Sequence, residues 1–271
     1  MDTSIKISRF TPADLSKDIS TPYYHILVFD GRTSFSVDFT TYDCDGKTVL
    51  FLSPYQHLQW HRSSASMVYA IQFHGDFYCI EYHKKEVACN GILFNNIYRQ
   101  PHVSVTDSVF GEIVATVAKM QDLHGKDSQY DASITKTYLQ LILALSSKEK
   151  QLAQISDAPQ FENVVDFQSL LERNFLKTKE VAFYAAKSGL AVNTFTKKIK
   201  KNFGKTPSKL IQERIVLEAK KLLHLTYKPI KEIAADLNFE DEFYFSRYFK
   251  KEVGVSPKQF REKVGISIVA Q

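Results

Sequence analysis

The sequence has few cysteines and no long apolar run. Its three cysteines, Cys44, Cys79 and Cys89, are odd in number and form no Cys-x-x-Cys pair, which favours reduced cysteines over disulfides or a metal site. No segment approaches the roughly 18 consecutive apolar residues of a transmembrane helix. The first ten residues also lack an apolar segment behind a basic start. We therefore expect a cytoplasmic protein without a membrane partner.

Histidine pairs suited to a metal are missing as well. Two histidines two positions apart on a strand lie about 7 Å apart on one face, where they can share an ion, and the sequence has no His-x-His. His57 and His61 are four apart, which is about 13 Å on a strand. We expect no metal, no other cofactor and no catalytic residue.

Charge is distributed unevenly between the two halves of the chain. Residues 161–271 contain 21 Lys and Arg against 13 Asp and Glu, a net charge of +8. Residues 1–160 contain 14 against 17, a net charge of −3, and the two halves sum to the overall +5. The asymmetry indicates a basic, anion-binding C-terminal half joined to a nearly neutral N-terminal half.

Two basic segments repeat one pattern, and they begin 50 residues apart at Phe195 and Phe245. Residues 195–210 and 245–260 align without gaps, with the phenylalanine, a Lys-Lys pair, a glycine and a proline identical. In each copy, apolar residues four apart predict one buried helix face, and the glycine and proline predict its end. A preceding helix and a glycine- or asparagine-containing turn complete a helix-turn-helix pattern. The turn of the second copy is one residue longer, and Asn238 stands where the first copy has Gly189. Asparagine is the non-glycine residue that best tolerates the left-handed conformation that such a turn often needs.

Residues 208–225 are spaced for one amphipathic helix between the two copies. A helix of about 16 residues is roughly 24 Å long. This length, together with the width of the two helix-turn-helix units, spans the distance of about 34 Å between successive major grooves of DNA. Double-stranded DNA is therefore the expected partner.

Residues 165–263 resemble the DNA-binding domain of the AraC/XylS family of bacterial transcription regulators. The resemblance rests on residues 230–261, with their Ile-x-x-Ile-Ala, Tyr-Phe-x-Arg-x-Phe-Lys and Gly-x-Ser-Pro elements, and on Arg214, Ala219 and Leu222–Leu223 of the linking segment. It departs from the family pattern at Asn238, which replaces a glycine, and at Ile199, which replaces a phenylalanine. Neither change removes a group that contacts DNA.

By position, the resemblance implies which residues contact DNA. The expected base contacts are Asn193, Thr196, Lys197, Glu242, Phe243, Ser246 and Arg247. Lysine or arginine suits guanine, asparagine suits adenine, and phenylalanine can pack on a thymine methyl, whereas Glu242 either accepts from cytosine N4 or repels phosphate. A structural or phosphate-contacting role for Arg247 stays open. Tyr244 and Phe245 are expected to lie in the core rather than to stack on bases. The expected phosphate contacts are Lys200, Lys201, Lys250 and Lys251, which give affinity without sequence information.

Short β-type runs separated by Gly-containing turns fill residues 20–100, and Phe77–Ile80 is one of the strands expected there. They predict a sandwich or small barrel, which the resemblance makes a cupin-like sensing and dimerisation domain over residues 1–147. Its trailing helices are expected at about 108–147, where they pair two protomers or only cover the barrel. Aromatic residues that line a ligand pocket, or simply pack in the core, are Phe35, Phe39, Tyr55, Trp60, Tyr69 and Phe73.

The predicted architecture is therefore α+β, with a polar linker at 148–161 and an all-α double helix-turn-helix domain at 162–271. The resemblance implies an effector-responsive regulator that forms a homodimer and has DNA, a small-molecule effector and RNA polymerase as partners. The alternative is a cupin-type enzyme or a DNA-repair protein with a helix-turn-helix targeting module, although the cysteines lack the spacing of a repair enzyme's cluster. Activation and repression, the operator and the effector stay open.

Overall fold

The computed structural model describes residues 5–11, 19–38, 40–78, 93–94, 97–98, 100–123, 129–156 and 162–266. The chain forms two compact units. The first consists mainly of residues 1–96 and 100–156, and the second of residues 157–268 with the short segment 97–99. The first mixes strands and helices and the second is all helical, so the α+β class is confirmed.

The first unit contains two antiparallel sheets. The described strands are β1 (Ile5–Phe10), β2 (Tyr24–Asp30), β3 (Thr33–Val37), β4 (Thr40–Cys44), β5 (Lys47–Leu52), β6 (Leu58–Ser63), β7 (Val68–Phe73) and β8 (His102–Ser104). The larger sheet has the order β1-β7-β2-β5-β8, and the smaller one has the order β4-β3-β6. Of the expected strands, Phe77–Ile80 differs, since Phe77 and Tyr78 lie in a turn and the other two residues lie outside the described ranges.

The larger sheet is covered on both faces, which explains its uninterrupted apolar runs. On β2, Ile26 and Val28 pack on the helical side, whereas Leu27 and Phe29 pack against the smaller sheet. All four side chains are fully buried. The smaller sheet instead alternates buried and exposed residues along β4 and β6, as expected for a sheet with one face in solvent.

Two helices cover the outer face of the larger sheet: α1 (Asp107–Leu123) and α2 (Gln129–Ser156). Helix α2 runs through 148–156, so the prediction that the linker begins at 148 is wrong. These residues are mostly strong helix formers, and the buried Lys150 ammonium donates to the Gln100 carbonyl at 2.9 Å. Residues 157–161 lie outside the described part of the chain. None of the described helices is long and apolar enough to cross a membrane.

The second unit contains seven described helices. They are α3 (Glu162–Asn174), α4 (Val181–Lys187), α5 (Val192–Phe203), α6 (Pro207–Leu225), α7 (Ile230–Asp236), α8 (Glu242–Val253) and α9 (Pro257–Val264). Helix α6 has 19 residues and is about 28 Å long, somewhat more than the sequence predicted. It lies between the pairs α4–α5 and α7–α8.

Candidate nucleic-acid interface

Helices α4 and α5 form the first helix-turn-helix unit. Gly189 has φ 66, a left-handed conformation that glycine adopts without steric cost. The Leu190 amide then donates to the Ala185 carbonyl at 3.0 Å, which closes the end of α4. Phe195 and Ile199 bury one face of α5, and the opposite face is left to solvent.

Helices α7 and α8 repeat this geometry with one more residue in the turn. Asn238 has φ 55, so asparagine occupies the left-handed position as the sequence predicted. The Phe239 amide donates to the Ala234 carbonyl at 2.9 Å, the counterpart of the Leu190 bond. The extra residue precedes Asp241, whose carboxylate accepts from the Tyr244 amide at 2.7 Å and caps α8. Ala191, at the same place before α5, makes no side-chain cap.

The second helices of the two units match in length and in burial. Each has 12 residues, and each ends at a left-handed glycine, Gly204 or Gly254. A Thr206 or Ser256 cap then starts the following helix. The shared residues of the repeat are thus the ones that set the backbone frame.

All seven predicted base-contacting residues lie outside the core of this frame. Those on exposed positions are Asn193, Lys197, Phe243 and Arg247, whereas Thr196, Glu242 and Ser246 are half-buried. Phe243 is 69% exposed. The Phe243 ring is therefore an exposed apolar surface on a polar helix face.

The four predicted phosphate-contacting lysines are also exposed. They lie in the last turns of α5 and α8 as two Lys-Lys pairs, Lys200–Lys201 and Lys250–Lys251. The negative end of the helix dipole favours cations there. The second helix of each unit therefore has the predicted base-contacting residues in its first half and an exposed lysine pair in its last turn.

Tyr244 corrects the sequence interpretation, which assigned it to the core with Phe245. Phe245 is fully buried, but Tyr244 is 51% exposed beside Phe243. The Asp241 cap could have indicated this, since it begins the helix at Glu242 and turns positions 243 and 244 outwards. Tyr244 therefore joins the candidate interface.

The aromatic residues predicted to line one N-terminal pocket do not lie together. Phe35 and Trp60 pack between the two sheets, whereas Phe73 and Tyr69 pack on the helical side of the larger sheet. Tyr55 is buried outside both clusters, and Phe39 lies outside the described residues. These residues are thus divided between the two core clusters, with Phe35 and Phe73 fully buried, and a ligand pocket lined by any of them stays a prediction.

A smaller aromatic group between the sheets contains two orphaned polar atoms. The Phe35 ring centroid is 5.8 Å from that of Trp60 and 5.6 Å from that of His102. The Trp60 Nε1 and His102 Nδ1 atoms are buried and have no hydrogen-bond partner in the described part of the chain. Burial, with a smaller contribution from the Lys150 charge, lowers the pKa of His102 to about 4, so the ring is neutral at pH 7. Buried polar atoms of this kind are normally paired with protein groups or ordered water.

Metal-ligating residues do not cluster within the described ranges. Cys44 is a buried free thiol whose pKa is raised, mainly by burial. Cys79 and Cys89 lie outside those ranges, as does His83.

The comparisons with known proteins concern mainly the C-terminal half. Residues 184–263 match a family model described as a helix-turn-helix domain. The chain is 35% identical over 91 residues to the HTH-type transcriptional activator RhaS of Mannheimia succiniciproducens, covering 34% of each chain. It is 25% identical over 162 residues to RhaS of Escherichia coli, covering 59% of this chain and 57% of that one.

Among solved structures, the C-terminal domain of the two-component response regulator YesN of Fusobacterium nucleatum is similar to this chain at 30% identity. The match covers 35% of this chain and 93% of that domain, with a TM-score of 0.34. The chain thus spans between a third and just over half of the length of the curated relatives it matches. The match to the helix-turn-helix model falls entirely within the helical second unit.

Proposed function

We propose that the chain is a sequence-specific DNA-binding transcription regulator. One observation carries the proposal: α5 and α8 repeat the same buried frame but expose different side chains. Asn193, Thr196 and Lys197 are the outward residues near the start of α5, against Glu242, Phe243, Ser246 and Arg247 on α8. Two units of one frame with unlike reading faces suit two unlike half-sites in successive major grooves. One protomer would then bind an asymmetric sequence.

The chemistry of the outward residues favours this assignment. Lys197 and Arg247 carry the donors that guanine O6 and N7 accept, and Asn193 offers the paired donor and acceptor that adenine needs. Phe243 and the neighbouring Tyr244 supply apolar surface for a thymine methyl. The lysine pairs at the helix ends supply phosphate contacts, which fix register without reading sequence.

A mobility-shift titration with DNA from upstream of the protein's own gene tests this function. We expect salt-sensitive binding that prefers this DNA over a scrambled duplex, and we expect Arg247→Ala to weaken it. Lys258→Ala is the matched control, because Lys258 is an exposed basic residue on α9, outside the recognition helices. Equal affinity of the wild type for both duplexes at every salt concentration would refute the function.

We further propose that the N-terminal unit is a cupin-like sensor whose effector contacts Trp60 and His102. Tryptophan only donates, through Nε1, and a neutral histidine either donates or accepts. A compact ligand with a hydrogen-bond acceptor and a flat or apolar flank would satisfy both atoms. It would lie against the Phe35 ring.

The chain contains one tryptophan, and this makes the effector site directly observable. Binding at Trp60 is expected to shift its fluorescence in a titration with candidate metabolites, and His102→Phe is expected to abolish the shift. A metabolite that stabilises the protein against heat but leaves the tryptophan spectrum unchanged would place the effector elsewhere.

We also propose a homodimer formed through α2. Its exposed apolar residues, Tyr130, Ile134, Leu141 and Leu152, fall within about 40° of one another around a helix of 3.6 residues per turn. Such a stripe is typical of a helix that pairs with another helix. A second copy of this chain offers the same stripe, which gives the self-complementary contact of a twofold dimer.

Size-exclusion chromatography with light scattering, which measures the molar mass of the eluting protein, tests the dimer. Ile134→Glu together with Leu141→Glu is expected to produce monomers, because both would bury a charge at the interface. Ala132→Glu is the control, since Ala132 is exposed on the other side of α2. A wild-type chain that elutes as a monomer at all concentrations would contradict the proposal.

The relatives are named transcriptional activators, which makes RNA polymerase the expected protein partner and the bacterial cytoplasm the expected compartment. Those names also favour a regulator over an enzyme.

A further inference from the structure

The two helix-turn-helix units contact each other at a point away from α6. The Lys179 ammonium, in the loop before α4, donates to the Asn238 carbonyl at 3.1 Å. The same Nζ atom lies 3.2 Å from the centroid of the Phe239 ring. One cation therefore makes a hydrogen bond and a cation–π contact with the turn of the second unit. The side-chain amide of Asn238 donates through Nδ2 to the Lys177 backbone carbonyl at 3.5 Å.

Both ends of this contact are fixed within their own units. In the first unit, the Tyr184 hydroxyl of α4 donates to the Thr178 carbonyl at 3.0 Å, and Tyr184 is fully buried. The position of Lys179 therefore follows that of α4.

In the second unit, the Phe239 ring packs against α8. Its centroid lies 5.2 Å from those of Phe245 and Tyr248. Phe245 belongs to the buried face of α8, directly behind its DNA-reading residues. A displacement of the Phe239 ring is therefore transmitted to α8 through its contacts with the Phe245 and Tyr248 rings.

The contact is partly withdrawn from water. Phe239 is only 7% exposed, and burial lowers the pKa of Lys179. Ion–ring and ion–carbonyl contacts strengthen when they are desolvated. Asn238 also stands where the resemblance expects a glycine, and its side chain adds the bond to Lys177 that glycine cannot make.

We propose that Lys179 and the Asn238–Phe239 turn form a latch that fixes the orientation of the second recognition helix relative to the first. The inference rests on the proposed function. Lys179 is then a positioning residue that acts on DNA through α8. With the latch closed, the second unit binds as a rigid extension of the first, so less ordering free energy is lost on binding. The latch also makes the protein strict about half-site spacing.

The test compares Lys179→Met with the wild type on three duplexes: the selected operator, the operator with one half-site scrambled, and the operator with one extra base pair between half-sites. Methionine keeps the stem against Phe239 but loses the charge and the donor. Lys177→Met is the matched control, because it removes one positive charge from the same loop. Lys179→Arg keeps a cation and donors, and should restore the wild-type behaviour.

We expect Lys179→Met to weaken binding to the intact operator by about tenfold, the worth of one partly desolvated cation–π contact with its hydrogen bond. Its affinity for the single half-site should stay that of the wild type, which also shows that the variant is folded. The added base pair turns the second site by about 35°. The wild type should lose more affinity from this insertion than Lys179→Met does.

Two results would overturn the latch. The first is an insertion penalty that is the same in Lys179→Met and wild type. The second is a loss of affinity on the half-site as large as on the full operator, with a salt slope reduced by about 0.9, since that identifies Lys179 as a phosphate contact. A wild type without sequence preference on any duplex is a different failure, because it refutes the proposed function itself.

Discussion

Lys197 and Lys200 of α5 offer a direct separation of base reading from phosphate binding. Both are exposed on the same helix. Lys200 lies about 4.5 Å further along the helix axis, in the last turn that carries the Lys200–Lys201 pair. Lys197 lies beside Thr196, in the first half of α5, which we propose enters the groove. Truncating each to alanine removes one charge from the same surface, so the two variants are matched in charge and burial.

The expected losses differ in kind. A lysine that contacts a guanine contributes about 1–3 kcal/mol of discrimination, so Lys197→Ala should weaken operator binding roughly 5- to 150-fold and relax base preference there. Lys200→Ala should weaken all sequences alike and reduce the slope of log K against log salt by about 0.9. Between 50 and 200 mM salt, that slope change corresponds to about 3.5-fold.

Fluorescence anisotropy with labelled duplexes measures both effects. Each variant is titrated against the operator and against four duplexes that differ at one base pair, at 50 and at 200 mM salt. The reasoning is wrong if Lys197→Ala keeps the wild-type base preference. It is equally wrong if Lys200→Ala changes that preference or leaves the salt slope as it was.

Three further predictions concern stability, each measured as the free energy of unfolding in urea. Phe249→Ala should lower it by about 3–5 kcal/mol, because Phe249 is fully buried and packs edge-on to Phe260 at 5.6 Å. Asp241→Ala should lower it by about 1 kcal/mol through loss of the α8 cap. His25 and His102 each have a pKa lowered to about 4, mainly by burial. Protonation linked to each histidine should therefore lower the free energy of unfolding of the first unit by about 2 kcal/mol between pH 7 and pH 5.

The controls follow from the same geometry. Ala191→Asp places a carboxylate at the uncapped start of α5 and should add stability where Asp241→Ala removes it; no gain would contradict the capping argument. The sign of the pH effect follows from the two pKa values. Below pH 6.5 the unfolded histidines are protonated, whereas the folded ones, with a pKa of about 4, stay neutral until lower pH. The unfolded state therefore binds more protons, and the free energy of unfolding falls as the pH falls. Stability that stays constant or rises on acidification to pH 5 would contradict it.

The double helix-turn-helix was predictable because its signals are local. Gly189, Gly204 and Gly254 all stand at left-handed positions, where glycine has a physical advantage, and the Thr206 and Ser256 caps start helices at the predicted prolines. Asn238 was predicted in the left-handed region for the same reason. Four-residue spacing then identified the buried faces without any knowledge of tertiary contacts.

The N-terminal unit was less predictable because its organisation depends on contacts distant in sequence. The apolar run of β2 does not reveal which residues face the helices and which face the smaller sheet, so the sequence does not divide the aromatic residues between the two core clusters. Polar composition concealed the end of α2, because the Lys150–Gln100 contact joins residues that are 50 positions apart and leaves no local signal in the sequence. The Lys179–Asn238 contact spans 59 residues and leaves no periodic signal.

Selection of bound duplexes from a random pool by the purified full-length protein tests the central claim most directly. Two unlike reading faces on one repeated frame predict an enriched motif with two different half-sites about 10 base pairs apart. In this motif, Lys197→Ala changes one half-site and Arg247→Ala changes the other. A pool that shows no enriched motif, or a motif in which both variants alter the same positions, would contradict the account.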